Sequence, residues 1–254
     1  MGDFASVIGG GPIVGLDDIA PNLDAYYRIV SDNVSLDLSD HTGTSTVDAS
    51  GNDAPVEVDL GSASDTLFGG ESDDLATGGD GSDSLAGSGG DDALAGERGY
   101  DTLLGQDGDD TLEGGRGYDD LSGGQGDDVI DGGQGYDLLQ GGAGDDLMDG
   151  GAGYDTLVGG AGDDLMIGGA GHDTFVFGSN FGSDVIADFT GGKDVIALTA
   201  NINGSGIAEA GDVAQFVTGD ASATTITIGE DSIRLEGVGR DDFLQHLTAW
   251  VKVI

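Results

Sequence analysis

From Leu60 to Val176 the chain counts in nines without a slip, and the sixth place of every unit is aspartate. GGDGSDSLA (78–86), GGAGDDLMD (141–149) and GGAGYDTLV (150–158) show the unit in full. The aspartates are Asp65, Asp74, Asp83, Asp92, Asp101, Asp110, Asp119, Asp128, Asp137, Asp146, Asp155, Asp164 and Asp173. The eighth place is apolar from Leu67 to Phe175, with Ala76 its one small member. Gly holds the fourth place from Gly81 to Gly171, whereas the first two units carry Ala63 and Ser72 there and are degenerate. A fixed period of this kind demands a repetitive fold in which each unit stacks on its neighbours.

Each part of the unit has a physical task. The glycines permit positive φ and close backbone approach in a tight turn, and the triplet after them carries one inward apolar side chain. One inward side chain per strand makes a core only if two strands face each other, so a complete coil takes two units, or 18 residues. The fifth place shows the same doubling. It reads Asp73, Asp91, Asp109, Asp127, Asp145 and Asp163 in one set and Ser64, Ser82, Tyr100, Tyr118, Tyr136, Tyr154 and His172 in the other. Alternate turns therefore fall on opposite edges, and an all-β solenoid is expected.

Stacked at about 4.8 Å, the sixth-place carboxylates would form a charged column on each edge. Two bare carboxylates at such a spacing repel by roughly 1 kcal/mol in water and several times that in a less polar setting. Without cations the coils should not close. The available ligands are all oxygen, carboxylates and turn carbonyls, which is hard-cation chemistry favouring Ca²⁺ over Mg²⁺ or Zn²⁺.

The unit reads GGxGxDxUx, with U apolar, and over residues 60–176 the chain resembles the RTX calcium-binding nonapeptide-repeat family. The resemblance implies a right-handed parallel β-roll with Ca²⁺ held between successive turns on each edge. It implies as ligands Asp83, Asp92, Asp101, Asp110, Asp119, Asp128, Asp137, Asp146, Asp155, Asp164 and Asp173. With them come the carbonyls near Gly115, Gly117, Gly124, Gly126, Gly133, Gly135, Gly142, Gly144, Gly151, Gly153, Gly160 and Gly162. Asp119 and Asp137 with Gly115, Gly117, Gly133 and Gly135 make one such site. Up to about eleven gaps between turns would take ions, and the degenerate first units would leave theirs empty.

Of 254 residues 52 are Gly, three are Pro and none is Cys, and the formal charge is −42. That charge sets the chain against nucleic acid and anionic membranes, and its lack of cysteine removes disulfides and thiolate metal sites. High charge with few aromatics ordinarily reads as disorder, so something must neutralise the carboxylates. The opening twenty residues have no basic n-region and an apolar run broken by Gly9, Gly10, Gly11 and Pro12, which reads against a cleavable signal peptide. No apolar stretch is long enough to span a bilayer.

Residues 1–59 are expected to be an N-terminal arm, to Pro21, followed by a β-rich cap with strands near 24–30, 34–39 and 56–60. Residues 60–176 are the roll, and 177–254 a closing segment with a hairpin over 224–238 and a short helix over 241–250 that turns Phe243, Leu244 and Leu247 inward. In that segment Asp184, Asp188 and Asp194 are candidates for one more ion, or for a solvated turn. The resemblance places an uncleaved type I secretion signal at this end. Tyr100, Tyr118, Tyr136 and Tyr154 recur at 18 residues as a ladder, readable as a recognition surface for carbohydrate or protein, or as mutual packing that stiffens the turns.

No HExxH helix or GxSxG elbow occurs, and the residues ahead of the roll are too few for a protease or lipase domain. The expected function is non-enzymatic: a calcium-binding structural or adhesive component, extracellular or on a particle surface. The alternatives are the secretion and folding module of an RTX enzyme, or a self-assembling subunit of a surface layer, filament or virion decoration.

Overall fold

A computed structural model describes residues 3–7, 24–30 and 34–254. The opening to Pro21, expected as an arm without a signal peptide, lies outside the described residues apart from the strand Asp3–Val7. The chain divides into two compact units, 1–129 and 130–254. Both are parallel β-solenoid. Among the described residues no helix is long and apolar enough to cross a membrane.

In the first unit, Ser84–Gly89, Thr102–Asp107 and Asp120–Gln125 run parallel in one sheet. Leu75–Asp80, Ala93–Gly99 and Thr111–Gly117 do so in the other. The register is the 18-residue step read from the sequence: Leu103 pairs with Leu85 and Leu121, and Leu112 with Leu94. These eighth-place side chains are all buried and form the core.

The same sheets begin ahead of the repeats. Ala25–Ile29 and Ser45–Asp48 lead into Thr66–Phe68, and Val34–Asp37 and Val56–Asp59 lead into Leu75–Asp80. In these early coils the places later taken by aspartate belong to Ala25 and Ser45 on one edge and Val34 and Val56 on the other, all buried. Each strand also turns more than one side chain inward, as with Tyr27 and Ile29, or Val34 and Leu36. Apolar burial here fills the space that carboxylates fill further on.

In the second unit, Leu138–Ala143, Thr156–Ala161, Thr174–Phe177, Val195–Leu198 and Val251–Val253 form a parallel sheet. Opposite it lie Leu147–Asp149, Leu165–Ile167 and Ser183–Ile186, joined in parallel to Asp231–Glu236. The expected hairpin is present as Ala223–Ile228 antiparallel to Asp231–Glu236. The helix runs Arg240–Trp250 and buries Phe243, Leu247 and Trp250; Leu244 is half-buried, because the i, i+4, i+7 spacing carries the inward face through Trp250 instead. Trp250 packs on Phe189 and Phe243, and a Cβ at Gly191 would strike its ring.

Leu103 is fully buried between coils that offer few other apolar atoms. Leu103→Ala is expected to cost about 2–5 kcal/mol in calcium-saturated protein, read as a lower urea midpoint. An unchanged midpoint would mean that this column of leucines is not the core.

Candidate metal centre

The turn that follows the glycines drives each sixth-place aspartate inward. Asp65 to Asp173 at this position are all 1–3% exposed, unusual for carboxylates, which are rarely buried unless paired. One oxygen of each is accounted for by the backbone of the preceding coil. In the first unit the Asp83 N–H donates to Asp101 Oδ1 at 2.8 Å and Asp101 to Asp119 at 2.9 Å; on the other edge Asp74 donates to Asp92 at 2.7 Å and Asp92 to Asp110 at 2.8 Å. In the second unit Asp137 donates to Asp155 at 2.9 Å, Asp155 to Asp173 at 3.1 Å and Asp146 to Asp164 at 3.0 Å.

In most of these turns the other oxygen is not. Oδ2 of Asp83, Asp92, Asp101, Asp110, Asp155, Asp164 and Asp173 is buried and accepts no hydrogen bond. A buried anionic oxygen in this state costs several kcal/mol unless a cation meets it. It lies against the Cα of the first-place glycine five residues back, where a Cβ would collide: Gly96 with Asp101, Gly105 with Asp110, Gly159 with Asp164. The same spot beside Gly105 is bordered by the Gly123 carbonyl of the next coil, and beside Gly150 by that of Gly168. Among the described residues no three His, Cys, Asp or Glu side chains converge, so a cation here takes much of its shell from the main chain. Carboxylate and carbonyl oxygens together suit a hard cation of flexible coordination, and Ca²⁺ fits that set.

The first-place carbonyls are ligand candidates that sequence reasoning missed; the signal was the first-place glycine that recurs from Gly69 to Gly168, whose missing Cβ makes room for the carboxylate. Of the second- and fourth-place glycines named from the sequence, all have positive φ except Gly153, which sits in the strand Ala152–Gly153. Positive φ at the second place persists even where the residue is not glycine, at Ser88, Glu97 and Gln106. Gly96→Ala places a methyl against the Asp101 side chain. It is expected to weaken calcium affinity several-fold, and the loss should largely vanish in an Asp101→Ala background, a coupling read by calcium titration of the double-mutant cycle. Additive effects would separate Gly96 from the site.

The two edges differ at the fifth place. On one, Asp73, Asp91 and Asp109 are exposed at the turn and accept the N–H of the residue 18 further on, at 2.8–3.0 Å, so adjacent turns are tied in both directions. On the other, ring stacking serves. Tyr100 stacks on Tyr118 at 5.1 Å and Tyr136 on Tyr154 at 5.0 Å, while Tyr154 meets the edge of His172. The rings spend their faces on one another and stay 51–64% exposed at their rims.

Beyond the repeats, Asp164 N–H donates to Asp184 Oδ1 at 3.0 Å and Asp173 N–H to Asp194 Oδ1 at 3.1 Å, so both ladders gain a member. Asp188 does not join them. Its two oxygens accept the N–H groups of Gly168 and Gly169.

Burial, and then the neighbouring carboxylates, pushes Asp92, Asp101 and Asp155 up to about 7, against the pull of the one backbone N–H each accepts. Asp83, Asp128, Asp164 and Asp173 rise to about 6 and Asp184 to about 8, with burial again first among the causes. Between the ordinary carboxylate range near 4 and about 7, the cation-free folded chain thus holds protons that an unfolded chain has released. This contribution to stability is present below about pH 4 and is lost as pH rises through 6 and 7. Calcium, which needs the ionised form, binds better over the same rise. Far-UV circular dichroism of calcium-free protein should show more β structure near pH 4 than near pH 7.5, and the calcium midpoint should climb as pH falls from about 7.5 to about 5. A calcium midpoint independent of pH would contradict the assignment.

Fold and site together define a parallel β-solenoid with cation-demanding turns. The model of the RTX calcium-binding nonapeptide repeat matches at residues 59–94, 86–121, 122–157, 140–175 and 155–186, which is just over half of the chain. The chain belongs to the RTX calcium-binding nonapeptide-repeat family, as its sequence motif implied. Among solved structures it is similar to the extracellular lipase LipA from Serratia marcescens, with 23% identity, a TM-score of 0.45, and 84% of this chain and 40% of the lipase covered. It is also similar to the AlgE6R3 subunit from the Azotobacter vinelandii mannuronan C5-epimerase, with 31% identity, a TM-score of 0.31, and 59% of this chain and 80% of that subunit covered. The chain thus spans well under half the length of the lipase. Comparison with curated proteins returned no match.

Proposed function

We propose that this chain is a non-enzymatic structural or adhesive component that folds on calcium outside the cell or on the surface of a cell or particle. The observation that carries the reading is the set of buried Oδ2 atoms without a hydrogen-bond donor at Asp83, Asp92, Asp101, Asp110, Asp155, Asp164 and Asp173. Ions held by these aspartates and by glycine carbonyls would convert mutual repulsion into attraction between coils. Sites of extracellular type have dissociation constants of about 10⁻⁴–10⁻³ M, so the chain would stay open in a calcium-poor cytosol, pass a type I export channel extended, and close outside. The tyrosine rims on one edge would then meet a carbohydrate or protein partner through hydroxyl hydrogen bonds, since the ring faces are already stacked.

Calcium titration followed by far-UV circular dichroism at neutral pH tests the folding half of this reading. A cooperative gain of β signal, shifted to higher calcium in Asp92→Ala and Asp155→Ala, is the expected result; full β signal in metal-free protein would overturn it. Binding of the calcium-loaded protein to arrayed glycans and surface proteins, compared with a Tyr136→Ala/Tyr154→Ala variant, tests the adhesive half. Equal binding by both would remove the ladder from it.

A further inference from the structure

Not every aspartate of the ladders leaves an oxygen without a donor, and the exceptions follow a rule of backbone geometry. Asp65 Oδ2 accepts the Gly61 N–H at 3.2 Å, Asp74 Oδ2 the Gly70 N–H at 2.9 Å, and Asp194 Oδ2 the Thr190 N–H at 2.6 Å. In each case the donor stands four residues before the aspartate. None of these three donors has positive φ. In the turns whose Oδ2 finds no donor, the residue at that place does have positive φ, as at Gly79, Ser88, Glu97 and Gln106. The peptide is rotated there, and its N–H bond to the carboxylate is missing. One backbone torsion thus decides whether a turn satisfies its own carboxylate or calls for a cation.

The segment 179–187, SNFGSDVIA, lies outside the nine-residue register, because Asp184 follows Asp164 by 20 residues. It nonetheless reproduces the unit from its fourth place onward. Gly182 has φ +79 and a Cβ on it would meet the Gly162 carbonyl, Asp184 is 1% exposed, and Ile186 is fully buried. Asp163 accepts the Ser183 N–H at 2.8 Å, as Asp145 accepts that of Asp163. At the deciding place stands Asn180, with φ +60, and the Oδ2 of Asp184 is buried without a donor. Asn is among the residues that tolerate this conformation best after glycine.

We propose that Asp164 and Asp184 hold a divalent cation of the calcium class at this off-register turn, and that Asp65, Asp74 and Asp194 are closed by their own backbone and hold none. The proposal rests on the calcium reading given above. It sets the reach of the metal by peptide rotation four residues before each aspartate, where the repeat motif alone would stop at Asp173.

Native mass spectrometry of the full chain in calcium counts the ions. Asp184→Asn is expected to lose one relative to wild type, and Asp194→Asn and Asp74→Asn none. An Asp184→Asn protein with the full complement, or an Asp194→Asn protein one ion short, would overturn the proposal. If Asp184→Asn does not fold, wild-type crystals grown with manganese decide the matter. Anomalous density beside Asp184 Oδ2 and none beside Asp194 Oδ2 supports it, and the reverse pattern sinks it. Wild type that binds no calcium at all would instead refute the calcium reading on which this rests.

Discussion

A carboxylate oxygen buried against glycine with no hydrogen-bond donor is the constraint on which the rest of this molecule depends. Each 18-residue coil of the array offers two eighth-place side chains to the interior, such as Leu85 and Leu94, at about 2 kcal/mol apiece. That is thin insulation for two buried negative charges. The backbone supplies one N–H to Oδ1 of ladder aspartates such as Asp101 and Asp110, leaving their Oδ2 to a species that is not part of the chain. First-place glycine makes the space, positive φ at the second place removes the competing amide, and the neighbouring coil brings a carbonyl.

The coils on either side of the array solve the same problem by other means. Ahead of it, Ala25, Ser45, Val34 and Val56 take the aspartate places, and Tyr27, Leu36, Val47 and Val58 supply a broader apolar interior. After it, the coil ending at Leu198 is covered by the Val251–Val253 strand, with Trp250 packed on Phe189 beside the space left by Gly191. Ordinary hydrophobic burial therefore stabilises the flanking coils, and ions are needed where the nine-residue pattern is strict.

Much of this was legible in the residues. The period located the turns, the alternation of Asp and Tyr at the fifth place gave two units per coil, and the hairpin and helix after residue 220 emerged within a few positions of their expected bounds. Three things were not legible. Val34 and Val56 read as ordinary alternating strands, because nothing in VSLDL or VEVDL marks them as stand-ins for aspartate. Asp188 sat among plausible ligands, yet only the folded chain shows its oxygens occupied by Gly168 and Gly169. Gly61 and Gly79 are the same residue at the same place of the unit and differ in φ, so the torsion that separates self-satisfied from cation-demanding turns is not written in the residue that carries it.

Hydrogen exchange resolved to single amides puts the central claim to its most direct test, because the N–H groups of Asp83, Asp92, Asp101 and Asp155 donate to the very carboxylates that the ions should hold. In calcium these amides should exchange slowly, and after complete removal of calcium at neutral pH they should exchange at rates close to those of an unfolded chain, while amides of Tyr27, Val47 and Val58 keep more of their protection. Equal protection of the aspartate amides with and without calcium would contradict the account.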